Sequence, residues 1–215
     1  MVDTRQCAQC GAEFAPRREH ARFCSTSCRI AWNCQLADTP DAAEGVLDWS
    51  FAAMLEVTER LLRARVLERP RGYALITEAV WWCTMVDATL VRYHPDTYVA
   101  ALADCDPAER QLIEDIFGGL RFVRNQMGYK ADHGDFIQPA SGSSGQAADR
   151  VATWTWRPVP QPSLTSLAPR GQDWEMTRYR SYQAQLAGRR IGDTFSRAAR
   201  FLRHTSELSP SHTPG

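Results

Sequence analysis

The sequence predicts a mostly α protein, a helical bundle preceded by a small cysteine-rich module, and three observations carry that prediction. Five of the seven cysteines fall within residues 7–34. From about residue 48 onward, long stretches place apolar side chains at helical spacing. Strand-like alternation is confined to the short TWTW run at 153–156. A chain of 215 residues suffices for one sizeable core plus a satellite, and no internal repeat is visible.

The cysteine module spans residues 1–36. CAQCGAEFAPRREHARFCSTSCR has a C-x2-C pair followed, thirteen residues later, by C-x3-C. An odd number of cysteines bunched at one end points to metal rather than disulfides. Cys7, Cys10, Cys24 and Cys28 supply four tetrahedral thiolates for a structural Zn²⁺, a full sphere that leaves no position for a catalytic water. Gly11 permits a tight turn, and Ser25 can cap a helix whose first turn carries Cys28. The run C-x2-C-G-x2-F…F-C-S-x2-C-R resembles treble-clef and zinc-ribbon fingers, with Phe14 and Phe23 as the small core. The fold class is therefore mostly α, a helical bundle with a small N-terminal zinc finger. Such fingers contact DNA, RNA and proteins alike, so the resemblance implies a metal and no particular partner. Arg17, Arg18 and Arg22 form a local cluster for nucleic-acid contact, or equally a solvated loop. The five arginines and three acids of residues 1–34 give a formal +2, which the −2 of Zn²⁺ with four thiolates cancels. His20 and Cys34 are spare candidate ligands that four regular cysteines make unnecessary.

Residues 37–47, centred on ADTPDAAEG, read as a polar linker, and residues 48–136 as the bundle core. WSFAAMLEVTERLLRARVLE (49–68) is predicted helical, with Pro70 as its stop. YALITEAVWWCTMVDATLVRY (73–93) is apolar almost all round and is predicted to lie at the centre of the bundle, with Trp81 and Trp82 in the core. His94, before Pro95, reads as a helix C-cap. The next helix, to about 129, opens on Asp106 as N-cap, Pro107 at the first position and Glu109 three residues after the cap. Its Gly118–Gly119 pair suits close helix approach. Residues 137–172 read as a Gly/Ser-rich loop and a brief strand, then proline-broken coil laid across the bundle. Residues 173–205 form two C-terminal helices separated by Gly188. In the second, capped by Asp193, Ile191, Phe195, Ala198 and Leu202 share one face while Arg197, Arg200 and Arg203 share the other. Residues 206–215 read as a disordered tail.

One position breaks the pattern. On a wheel of about 100° per residue from Leu112, Val123, Ile116, Met127, Leu120, Ile113 and Phe117 fill one arc, and Arg124 falls inside it. A core-facing cation must be paired. Asp87 and Glu78, the acids of the apolar central helix, are the candidate partners, while Arg121 and Asn125 point away from the centre of the stripe. Arg124 is then either an interhelical clamp or a phosphate-gripping guanidinium held by its acid.

A bundle whose long helix ends in Arg124–Asn125, with a histidine following, resembles the HEPN (higher eukaryote and prokaryote nucleotide-binding) superfamily. Its active members carry R-x4-6-H and are metal-independent ribonucleases, usually dimeric, of toxin and defence systems. The resemblance implies catalytic roles for Arg124 and its polar neighbour Asn125 in a homodimer. The motif is incomplete: the first histidine is His133, two residues beyond the expected spacing, and Lys130 is the other nearby candidate.

Formal net charge is zero, with 25 basic and 25 acidic residues, so nucleic-acid contact requires a local patch. Only Lys130 among the basic residues is lysine, which makes arginine alone weak evidence. Residues 173–205 are the most basic stretch, with Arg197, Arg200 and Arg203 as a phosphate-tracking patch or as a solvated face balancing the acidic 38–68 region. No phosphate-loop, dinucleotide, serine-hydrolase or zinc-protease motif occurs. Without a signal-peptide pattern or an uncharged apolar run of about 18 residues, the expectation is a cytoplasmic protein that does not contact membranes. Two functions stand: an RNA- or DNA-binding protein or degenerate ribonuclease in regulation or defence, and a non-catalytic, transcription-associated scaffold docking a protein partner through its finger.

Overall fold

The computed structural model describes residues 4–16, 21–25, 28, 40–64, 69–129, 136–139, 154–165 and 167–208, and the chain divides after Asp48 into two compact units. In the first, β1 (Arg5–Gln6) and β2 (Glu13–Phe14) pair antiparallel, Arg5 opposite Phe14. Gly11, at φ +71°, turns the chain between them and donates its N–H to the Cys7 carbonyl at 2.9 Å.

Helix α1 (Pro40–Arg63) crosses the division. It is followed by α2 (Arg69–Tyr93), α3 (Pro95–Ala103), α4 (Pro107–Tyr129), the hairpin β3 (Ile137–Pro139) with β4 (Trp154–Trp156), α5 (Pro169–Gln185) and α6 (Ile191–Glu207). Six helices against four short strands, among the described residues, make the protein mostly α.

Helix α4 is the axis of the second unit, packing on α2, α5 and α6. Its start follows from sequence: Asp106 Oδ1 accepts the N–H groups of Ala108 and Glu109, both at 2.9 Å, satisfying donors that the first turn leaves orphaned. The apolar arc is buried as the wheel predicts, with Ile113, Ile116, Phe117, Leu120 and Val123 all enclosed. Each such side chain contributes roughly 1.5–3 kcal/mol of burial. A second face, carrying Phe122, is also buried. Phe122 meets Phe136 at 5.9 Å and Tyr182 of α5 at 5.5 Å between ring centroids. Trp156 continues the cluster to Phe195 of α6 at 6.0 Å, and its indole N–H donates to Thr194 at 2.9 Å.

The Gly118–Gly119 pair lets α5 close on α4. A Cβ at Gly118 would lie 2.8 Å from Ser181 Oγ, and one at Gly119 would lie 3.1 Å from the Tyr182 Cα and 2.8 Å from Leu186 Cδ1. The coil after β4 is laid across the same helix, as expected: Gln183 Nε2 and Tyr179 Oη both donate to the Val159 carbonyl, at 2.7 and 3.3 Å. Gly188, at φ +77°, turns the chain between α5 and α6.

Several boundaries differ from the sequence expectation. The linker assigned to 37–47 is helical from Pro40 onward, because proline fits the first helical turn and the Ala42–Ala43 pair favours helix. Pro70 likewise lies in the first turn of α2 instead of stopping α1, which ends at Arg63. Helix α3 was not expected at all. His94 donates its N–H to the Leu90 carbonyl at 2.9 Å, closing α2, and it is also the residue from which α3 departs. Arg190, not Asp193, precedes α6, which leaves Asp193 inside the first turn, where its charge still suits the helix dipole. The helix continues to Glu207 into the assigned tail, of which 209–215 lie outside the described residues. Of the Gly/Ser-rich loop expected from residue 137, residues 137–139 form β3 and 140–153 lie outside the described residues.

The expectation of an all-buried α2 is also corrected. Ile76, Ala79, Val80, Cys83, Val86 and Leu90 are enclosed, yet Trp81 is 52% exposed and Val91 44%. By length and composition alone the Pro70–Tyr93 stretch could cross a bilayer, with half of it buried inside the fold.

Candidate metal centre and arginine cluster

The hairpin β1–β2 and the following segment bring four thiols together. The Sγ atoms of Cys7, Cys10, Cys24 and Cys28 all lie within 4.8 Å of one another. Cys10 and Cys24 are 3.7 Å apart and Cys24 and Cys28 3.5 Å. A tetrahedral ion with metal–sulfur bonds of about 2.3 Å needs sulfur–sulfur edges of about 3.8 Å, so the residues fit one. The Cys24 N–H points at Cys7 Sγ at 3.4 Å, and Ser25 Oγ accepts the Cys28 N–H at 3.1 Å, the cap expected for the turn bearing the last thiol. Desolvation raises the Cys7 thiol, but N–H groups of Cys24, Cys10 and Gln9 outweigh it and bring the pKa down to about 6. Cys24, surrounded by the thiols of Cys28, Cys10 and Cys7, is pushed up to about 12. Four sulfurs this close cannot all ionise without a cation between them, and a bound metal ion would supply that charge.

In the second unit α2 and α4 run antiparallel, and their register sets the polar contacts. Thr77 Oγ1 meets Met127 Sδ at 3.8 Å, Arg124 Nη1 donates to Thr84 Oγ1 at 3.3 Å, and one turn further Arg121 Nη2 donates to Asp87 Oδ2. Thus Asp87 takes Arg121, not Arg124, because it lies one turn beyond the level of Arg124. Asp87 is fully buried, and Tyr98 of α3 donates to its other oxygen at 2.8 Å. Burial raises the Asp87 carboxyl pKa, against the pull of Arg121, Tyr98 and Arg124. Glu78 is no partner of Arg124 either: it faces outward and pairs with Arg60 of α1 at 3.6 Å.

Arg124 is consequently underpaired. It is part-buried, and its hydrogen bond to the Thr84 hydroxyl is the one it makes among the described residues. Burial and the guanidiniums of Arg178 and Arg121 push its pKa down, with Asp87 opposing them among the described residues. Arg178 belongs to α5, where it bonds Glu175 Oε2 at 3.3 Å. Glu175 is buried and also accepts from Asn125 Nδ2 and Gln126 Nε2, each at 3.1 Å. Asn125 therefore points to α5, away from the apolar stripe, and the Glu175 network holds α5 against the end of α4. Three guanidiniums converge while two of them keep their own carboxylates. An arrangement of this kind repels further cations and could accept an anion at Arg124.

Other predicted residues lie elsewhere. Arg197, Arg200 and Arg203 are exposed on α6. Arg197 and Arg200 share a cleft of about 330 Å³ with Asp104, Glu109 and His204. Arg200 and Arg203 line another with Glu56 and Glu59 of α1. In both places acids lie beside them, and Glu56 and Glu59 belong to the acidic 38–68 region. Arg22 lies over the Phe23 ring at 5.8 Å. Arg17, Arg18, Lys130 and His133 lie outside the described residues, as do His20 and Cys34.

Sequence reasoning missed Glu175 and Arg178, and also the pair of His204 Nε2 with Asp104 Oδ2 at 3.0 Å. The first two carry a local signal, since an acid three residues before an arginine on one helix face often pairs with it. Their meeting with α4 is tertiary and has no local signature. No family model, curated protein or solved structure matches the chain at a significant level.

Proposed function

We propose that this is a zinc protein that binds single-stranded RNA through the guanidinium cluster of α4 and α5. The observation that carries the reading is Arg124, a part-buried cation that among the described residues is held by one neutral hydroxyl and flanked by two further arginines. A clamp residue would take the nearest carboxylate, and among the described residues Arg121 and Arg178 take the two that lie beside it. The free donors of Arg124 suit a phosphate, which a guanidinium can grip with two parallel N–H bonds. Zn²⁺ is the ion for the finger, since four thiolates at tetrahedral spacing select it over oxygen-seeking cations.

The HEPN resemblance extends this to a degenerate, metal-independent ribonuclease. Arg124 would hold the scissile phosphate across a homodimer. Asn125, fixed by Glu175, would orient it, and His133 or Lys130 would serve as the proton-transfer group. The competing reading, a non-catalytic scaffold whose finger docks a protein, draws on the Arg121–Asp87–Tyr98 network, which ties α2, α3 and α4 together whether or not a ligand binds.

Labelled single-stranded RNA distinguishes them. The proposal expects salt-sensitive binding that Arg124→Ala weakens at least tenfold, and any cleavage should persist in EDTA and vanish in the same variant. Absence of binding and cleavage by the intact, metal-loaded protein leaves the scaffold.

A further inference from the structure

Beside the arginine cluster, α4 and α5 leave a cleft of about 350 Å³ whose walls include Gln111, Glu114, Asp115 and Arg121 on one side and Trp174 and Arg178 on the other. Trp174 is 56% exposed, and the Arg170 guanidinium lies over it at 5.1 Å, steadying it. Arg121 and Arg178 each commit one N–H to a carboxylate and remain 30% exposed. A guanidinium has five N–H donors, so both retain some for a ligand. Asp115 accepts from Ser181 Oγ at 2.8 Å and Gln111 Nε2 at 3.1 Å, and a carboxylate with about four lone-pair sites can accept more. The cleft thus combines an aromatic plane, two cations and two carboxylates, in a volume at the lower end of the roughly 300–1,000 Å³ usual for small-ligand sites.

Resting on the RNA-binding reading above, we infer that this cleft takes one nucleotide of the bound strand. Its base stacks on Trp174 with its amino edge donating to Asp115 and Glu114, and its phosphate lies against Arg178 and Arg121, next to Arg124. The carboxylates give the site a preference. Adenine, cytosine and guanine carry an exocyclic amino donor, whereas uracil presents an oxygen there, which two carboxylates repel.

The test is fluorescence anisotropy with the full, metal-loaded chain and labelled ten-nucleotide RNAs: oligo(A), oligo(C), oligo(U), an oligo(A) with abasic sites, and a duplex of equal length. The expected order is oligo(A) and oligo(C) above oligo(U). Trp174→Ala should weaken oligo(A) roughly 5- to 150-fold, the range for loss of one stacked base. Trp174→Phe should restore most of the affinity, the salt dependence should be unaltered, and the abasic strand should bind wild type and Trp174→Ala alike. Asp115→Asn should narrow the gap between oligo(A) and oligo(U). If the wild type binds RNA while Trp174→Ala matches it on oligo(A), or if the duplex binds best, the nucleotide cleft is wrong and the phosphate reading survives. If the wild type binds none of these RNAs, both fall together. Thermal melts of the Trp174 variants, with that ring on the surface, are expected to coincide with wild type.

Discussion

Arg121 and Arg124 stand one helical turn apart and are predicted to behave oppositely. Arg121 neutralises the buried Asp87, so Arg121→Ala strands that carboxylate and should destabilise the fold. Breaking a buried pair costs about 3–5 kcal/mol, and the 30% exposure of Arg121 places this case at or below the low end. Arg124→Ala loses one charged-donor hydrogen bond, worth about 1.5–3 kcal/mol, and its attraction to Asp87, but it relieves burial of a charge and repulsion from Arg121 and Arg178, so its stability should lie close to wild type. Chemical denaturation of both variants checks the pair. The pH dependence of the first follows from Asp87. A carboxyl whose pKa is raised in the folded state gives stability that is present below its unfolded pKa and lost as pH rises through the folded one. Arg121 limits that loss, and without it the Asp87 pKa climbs further. The Arg121→Ala deficit should therefore be largest near neutrality and shrink toward the ordinary aspartate range. A deficit independent of pH would mean that Asp87 is not the group responsible.

At the scale of elements, the start of α4 was legible because Asp106, Pro107 and Glu109 act within one turn, and its apolar arc because burial on one face imposes a 3.6-residue period. The break at α3 was not. YHPDTY read as an ending, since nothing local says that Tyr98 returns to a carboxylate eleven residues earlier. The closeness of α4 and α5 was foreshadowed by the two glycines and gives a sharp prediction. Gly119→Ala gains about 1 kcal/mol of helix propensity but places a methyl against the backbone of Tyr182, and overpacking typically costs 1–3 kcal/mol. A lowered Tm is expected, and an unchanged one would show that α5 can move away freely. For the finger, metal analysis should find one zinc per chain, and Cys28→Ser should lose it or hold it more weakly. A strong chelator should abolish the ordered amide signals of residues 4–16, because such modules draw their folding energy from the ion.

Over the whole molecule, zero net charge hides a separation that composition cannot express: opposite charges share clefts on α6, whereas around Arg124 like charges gather. The clustering of Cys7, Cys10, Cys24 and Cys28 was readable because their spacing along the chain nearly dictates their spacing in space. The arginine site was half readable. The helical wheel singled out Arg124 as anomalous, but its surroundings depend on the α2–α4 register and on Glu175 and Arg178, about 50 residues away in sequence. A wheel sees one helix, and register is a property of two. Whether Arg124 is kept for a ligand is decided most directly by measuring single-stranded RNA affinity and Tm together for wild type and Arg124→Ala. Affinity lowered at least tenfold with Tm close to that of wild type or raised is the expected result. Affinity unchanged with Tm lowered by several degrees would contradict it and make Arg124 a structural clamp.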